Sequence, residues 1–223
     1  AIATQSASLR SALETYRMEQ NVTGTRRADL VSTVERELER LLGPIDRDLL
    51  VVTDLSGEVF AAVARDVAAP ERGTSFAGFG AVRRGIGSGA TGSVDGGELA
   101  VLRAGATTYQ LAVYPLVLRG FTIGALVLGE RLDRGLVRSV QQAFDGQLVV
   151  LSGDSVLSGT ATPALLAALG RQARDRDEAP TVRVGREEFV VAPLPLGQTQ
   201  QGSPVTLWLV QPLQRTVDAL IGP

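Results

Sequence analysis

The sequence predicts an α+β protein in which a long N-terminal helix is followed by two similar modules, each a mainly antiparallel sheet with flanking helices. Two runs of apolar and β-branched residues, Tyr109–Leu118 and Phe121–Leu128, are separated only by Arg119-Gly120, the spacing of a β-hairpin. The arrangement recurs near the C-terminus, where Phe189–Leu196 and Pro204–Gln211 flank a polar turn and Ala192-Pro193-Leu194 lines up with Tyr114-Pro115-Leu116. Ahead of each hairpin stands another strand–turn–strand unit, Leu49–Ala62 and Gln147–Leu157, in the same order, so the sequence reads as an internal duplication.

From Thr4 to Gln20, Leu9, Leu13 and Tyr16 or Met18 fall at helical spacing among polar residues. Asn21–Gly24 interrupts the pattern, which resumes behind Asp29 as a cap with Leu30, Val34, Leu38 and Leu41 or Leu42, and Gly43-Pro44 ends it. This long, kinked helix either covers the sheet or uses the stripe around Leu9 and Leu13 to pair with a second copy in a homodimer. In Leu49–Ala62, Asp54 and Gly57 supply the turn between two strands. Residues Arg65–Gly97 form a connection rich in Gly, Ala and Ser that leads into a strand over Glu98–Ala104. Within it Gly87–Gly92 matches G-x-G-x-x-G, but no buried parallel strand leads in and Asp95–Gly97 prevents a following helix, so the glycines read as loop.

Asp133–Phe144 is expected to be a helix linking the modules. The second module continues with a helix over Pro163–Arg174, with Thr162 at its start and Pro163 in the favoured first turn. Arg171–Glu178 reads as a solvated helix end and loop, followed by strands Thr181–Val184, Glu188–Leu194 and Val205–Val210 and an outgoing helix from Leu213 to Ile221. The expected domains are 1–44 for the helix, 45–133 and 134–213 for the modules, and 214–223 for the start of the exit helix.

Composition narrows the chemistry. With 223 residues, 44% of them hydrophobic, the chain can bury a substantial core. A net charge of −2 gives no broad basic surface, so nucleic acid is not an expected partner. There is no Cys and no His, and all 22 basic residues are Arg. Catalytic triads, Lys Schiff bases, P-loop lysines and His/Cys zinc sites are thereby removed. Carboxylate pairs remain, and Asp54 with Glu58 is one, although a turn explains both; no enzyme activity is expected. No run reaches the roughly 20 apolar residues of a membrane helix. The opening residues lack a signal-peptide pattern, and both ends are expected to be cuts within a longer chain.

The order of a long leading helix, two strand–strand–helix–three-strand modules and an outgoing helix resembles the double Cache extracytoplasmic sensor domains of bacterial histidine kinases, chemotaxis receptors and related transmembrane signalling proteins. Leu49–Phe60, Tyr109–Asp133 and Leu148–Ser158 carry the likeness, which spans essentially the whole chain as pattern and order rather than as an invariant signature. The resemblance implies two PAS-like modules between flanking transmembrane segments, the first membrane-distal and the usual ligand binder. It implies a periplasmic or extracytoplasmic location within an inner-membrane protein, and no cofactor. The family's amino-acid-binding branch uses an Arg, aromatic residues including a Trp, and a late Asp in the distal module; here the only Trp is Trp208, in the second module.

If the first sheet cups a ligand, its polar contacts come from strands and from the loop that crosses them. Arg103 shares strand parity with Leu99 and Val101 and is read as facing the apolar side, where it needs an anionic partner. Tyr109 and Tyr114 lie at opposite parity on the neighbouring strand, so at most one faces the same pocket. Arg83 and Arg84, with Phe79 just before them, precede the Gly-rich loop and are placed to close over a small anion. The expected ligand is a small organic anion such as a short carboxylate. A module without its own ligand, serving dimerisation or partner binding, is the alternative, and a pocket filled by its own side chains would favour it.

Overall fold

The computed structural model describes residues 7–18, 25–87, 99–105, 107–132, 146–153, 155–175 and 181–213. The chain divides into two compact units, Ala1–Arg131 with Gln200–Gly202, and Leu132–Thr199 with Ser203–Pro223. The first contains α1 (Ala7–Met18), α2 (Thr25–Ile45), β1 (Leu49–Thr53), β2 (Val59–Ala64), α3 (Gly80–Gly87), β3 (Ala100–Ala104), β4 (Thr107–Leu118) and β5 (Phe121–Arg131). The second contains β6 (Gln147–Ser152), β7 (Ser155–Gly159), α4 (Pro163–Asp175), β8 (Thr181–Val184), β9 (Glu187–Thr199) and β10 (Pro204–Pro212).

Strand order establishes the duplication. In the first unit the strands run β2-β1-β5-β4-β3, and in the second β7-β6-β10-β9-β8, the same permutation with every neighbour antiparallel. A helix follows the second strand in each case, α3 in one unit and α4 in the other. The duplicated prolines fit this plan. Pro115 lies beyond Leu111, where pairing with β3 ends, and Pro193 beyond Val190, where pairing with β8 ends, so neither takes a donor from those ladders.

The first sheet is buried on both faces because β1 and β5 are apolar at both parities. Leu50, Val52, Leu116, Ile123 and Leu126 pack with Ala12, Leu13, Val31, Val34 and Leu38 on the α1–α2 side. Leu49, Val51, Tyr109, Leu111, Val113, Ala125 and Val127 pack with Phe76, Phe79, Ala81 and Val82 on the α3 side. The second unit has a single described core, with Val149, Leu151, Phe189, Val191 and Val210 against Leu165, Ala168 and Leu169 of α4.

Two turns work as their residues require. Arg119 and Gly120 both have positive φ, 50° and 83°, the type I′ geometry that matches the twist of a two-residue hairpin. Asp54 Oδ1 accepts from the Ser56 and Glu58 backbone N–H groups at 2.9 and 3.1 Å, while Gly57 takes φ 80°. In the second unit Thr162 Oγ1 accepts from Leu165 N at 3.4 Å, closing the first turn of α4.

Several expectations change. Asp29 is not a cap: α2 begins at Thr25, and the Asp29 carbonyl accepts from Thr33 Oγ1 at 2.8 Å inside the helix. Helix α2 carries Pro44 within its last turn and stops at Asp46, whose φ of 50° turns the chain out. Helices α1 and α2 pack against each other as well as on the sheet. Leu13, one half of the expected dimer stripe, is buried in this core, and Met18 is the only large exposed apolar residue among those described on either helix. The Gly-rich connection contains a helix, α3, that periodicity did not reveal. The Asn21–Gly24 break, the fingerprint glycines beyond Gly87, the Asp133–Phe144 helix, the charged run beyond Asp175 and the outgoing helix beyond Leu213 lie outside the described residues.

Candidate functional site

The α3 side of the first sheet holds two buried hydroxyls without described partners, Tyr109 opposite Arg131 and Thr53 opposite Ala125, six residues apart along β5. Residues 73–76 run along the β2 edge through Gly73 N to Val59 O (2.9 Å), Val59 N to Thr74 O (2.9 Å) and Phe76 N to Gly57 O (2.7 Å). This pinning delivers Phe76 and Phe79 onto the sheet, where their rings meet edge to face at 5.3 Å between centroids. Helix α3 then lies on β4 and β5 with Ala81, Val82 and Gly85 buried. A Cβ at Gly85 would stand 3.2 Å from Val113 Cγ1, tighter than ordinary contact, so a glycine there lets the helix approach.

Tyr109 occupies this layer. On β4 it pairs with Leu102 of β3 on one side and Arg131 of β5 on the other. It is completely buried, and its hydroxyl has no hydrogen-bond partner among the described residues. Burial raises its pKa above the usual value; Arg131 pulls the other way and the Asp48 carboxylate adds to the rise. Thr53, also completely buried, shares strand parity with Leu49 and Val51, and its hydroxyl too lacks a described partner. An unsatisfied buried hydroxyl is unfavourable by about 1–3 kcal/mol, so the Tyr109 end of this face is suited to a polar guest, and Thr53 lies too far along β5 to share it.

Arg131 and Asp48 sit at the end of the face nearest Tyr109. The Arg131 backbone N–H donates to Asp48 Oδ2 at 2.9 Å, Asp48 N donates to Gly129 O at 3.0 Å, and Arg65 N donates to Asp48 O at 2.8 Å. Neighbouring Glu130 is ion-paired with Arg47. Both Arg131 and Asp48 are half-buried.

Of the six residues singled out from sequence, the structure brings Tyr109 and Phe79 into one buried layer. Arg103 is not there. Ala100, Leu102 and Ala104 face this core, whereas Arg103 is exposed at the opposite parity, with its Nε 3.4 Å from Gly105 O. Tyr114 is 41% exposed at the parity opposite Tyr109. Arg83 and Arg84 are exposed on α3. Sequence reasoning missed Arg131, Asp48 and Thr53. The available signal for Arg131 was its position across the hairpin from Tyr109, and a bulge hid it. The turn pairs Leu118 with Phe121, a register that carried inward would set Tyr109 opposite Glu130. The irregularity between Leu116 and Val117 skips Ile123 and brings Arg131 there instead.

No family model matches the sequence, and no curated protein does. Solved structures share its fold. The sensor domain of the V. cholerae histidine kinase DctB aligns with a TM-score of 0.59 at 16% identity, covering 95% of this chain and 86% of that one. A domain of a putative sensory box/GGDEF family protein from Vibrio parahaemolyticus aligns with a TM-score of 0.51 at 13% identity, covering 97% of this chain and 87% of that one. The chain therefore shares the fold of these domains, here as two units with the same strand order. Among the described residues no helix is long and apolar enough to cross a membrane.

Proposed function

We propose that the chain is an extracytoplasmic sensor module of a bacterial signalling receptor, binding a small carboxylate on the α3 side of its first sheet. The observation that carries this reading is the Tyr109 hydroxyl, buried without a described partner beside Arg131. A carboxylate accepts from a phenol and from a guanidinium together, and such charge-assisted bonds are stronger than neutral ones. Asp48, adjoining Arg131, balances the local charge and favours ligands that add an ammonium group to the carboxylate. The ligand biases the conformation of the module rather than being transformed by it. The site has no described link to Arg103, and the anchoring role falls to Arg131 and Tyr109.

A second reading has its own support: Phe76, Phe79 and Val82 are buried against the same face. On that reading the module binds no small molecule and serves dimerisation or a partner protein. A thermal-shift screen of small carboxylates, amines and amino acids on the wild-type chain, Arg131→Gln, Tyr109→Phe and Arg103→Ala separates the two. The sensor reading expects at least one carboxylate to stabilise the wild type and Arg103→Ala, and to lose its effect on the other two variants. No stabilisation by any compound favours the ligand-free module, and equal stabilisation of all four proteins counts against this site.

A further inference from the structure

The residue facing Tyr109 is also the last residue of the first unit's long segment, Ala1–Arg131. Arg131 closes β5, and the next residue, Leu132, begins the second unit. The two edges of β5 are held differently at this point. Toward β4 the ladder continues to the Tyr109–Arg131 pair. Toward β1 the ladder stops at Leu49 opposite Gly129, and beyond it the Asp48 carboxylate takes the Arg131 N–H in place of a strand carbonyl. Arg47 adds the ion pair to Glu130. Arg47 and Asp48 are also the residues that follow the end of α2 at Ile45 and its turn at Asp46.

We propose that Arg47-Asp48 and Glu130-Arg131 form a clasp that holds the last residues of β5 and through it couples the Tyr109 face to the chain entering the second unit. The clasp is made of side chains. It therefore opens without unzipping the sheet, and a group that engages the Arg131 side chain at Tyr109 acts on the same residue whose backbone the clasp holds. Its role in signalling rests on the sensor reading; the clasp itself does not.

Amide hydrogen exchange on the ligand-free chain tests it, so the outcome is independent of any ligand screen. Asp48→Ala is expected to speed exchange at the Arg131 amide at least about tenfold, and to speed exchange at Leu132 and in β6, while Leu50–Val52 of β1 keep their protection. Asp48→Asn, which retains an oxygen acceptor, is expected to give a smaller change at the same amides. Glu130→Gln, which leaves the Asp48 bond in place and removes only a part-exposed ion pair, is expected to change these amides less than Asp48→Ala does, and Asp48→Asn serves if Asp48→Ala does not fold. Faster exchange confined to residues 129–131, or raised evenly through both units, would overturn the proposal, since the contacts would then be local or merely stabilising.

Discussion

Replacing Tyr109 with Phe is expected to stabilise the free protein while removing the carboxylate binding proposed for this face. The ring is wholly buried between Leu102 and Arg131, and Phe keeps its shape and volume but for one oxygen, so no cavity forms. The oxygen removed is one without a partner among the described residues. Relieving an unsatisfied buried hydroxyl is worth about 1–3 kcal/mol. At about 2–4 °C per kcal/mol for a chain of this size, Tm should rise by about 2–12 °C by calorimetry. Alkaline pH gives a second handle. The folded-state pKa of Tyr109 is raised, so its neutral form adds stability that is complete below the unfolded-state value near 10 and lost as pH rises through the folded value. The advantage of Tyr109→Phe should therefore widen above that pH. A Tm that falls on substitution, or a difference that narrows in alkali, would mean that the hydroxyl is satisfied in the free protein, and the case for a polar guest at this face would fail.

Gly124→Ala should be among the most damaging single changes, because its Cβ would lie 2.1 Å from the Thr53 carbonyl oxygen in the neighbouring strand. A loss above about 4 kcal/mol is expected by denaturant unfolding, and one below about 1 kcal/mol would show that β1 and β5 separate easily. Arg119→Asn should stabilise by about 0.5–1 kcal/mol, since Arg119 holds φ 50° in a turn position that Asn adopts more readily. The exposed Arg119–Glu14 ion pair that it removes contributes little, so a net loss in the same unfolding assay would contradict the turn assignment. Arg103→Ala should change stability by less than about 0.5 kcal/mol, and a larger effect would place this side chain in a role that its exposure argues against.

Local patterns were legible and faces were not. Hairpins, the Asp54 turn and the Thr162 cap depend on residues close in sequence, and each appears where its chemistry predicts. Helix α3 escaped because Gly80, Gly85 and Gly87 lower its intrinsic propensity, whereas burial of Ala81 and Val82 on the sheet offsets that loss. Arg103 was assigned to the wrong face for a related reason. Ala100-Val101-Leu102 is apolar at both parities and buried throughout, so alternation alone could not say which side Arg103 takes.

What the sequence determined unaided was the repeated order of strands and the absence of Cys, His and Lys, both properties of composition and short-range periodicity. The location of the candidate site was decided only in three dimensions. One skipped residue at Ile123 selects the partner of Tyr109, and the side chain of Asp48 reaches a backbone amide 83 residues away. Register and side-chain reach across that separation follow from how strands pack, which no window of neighbouring residues contains.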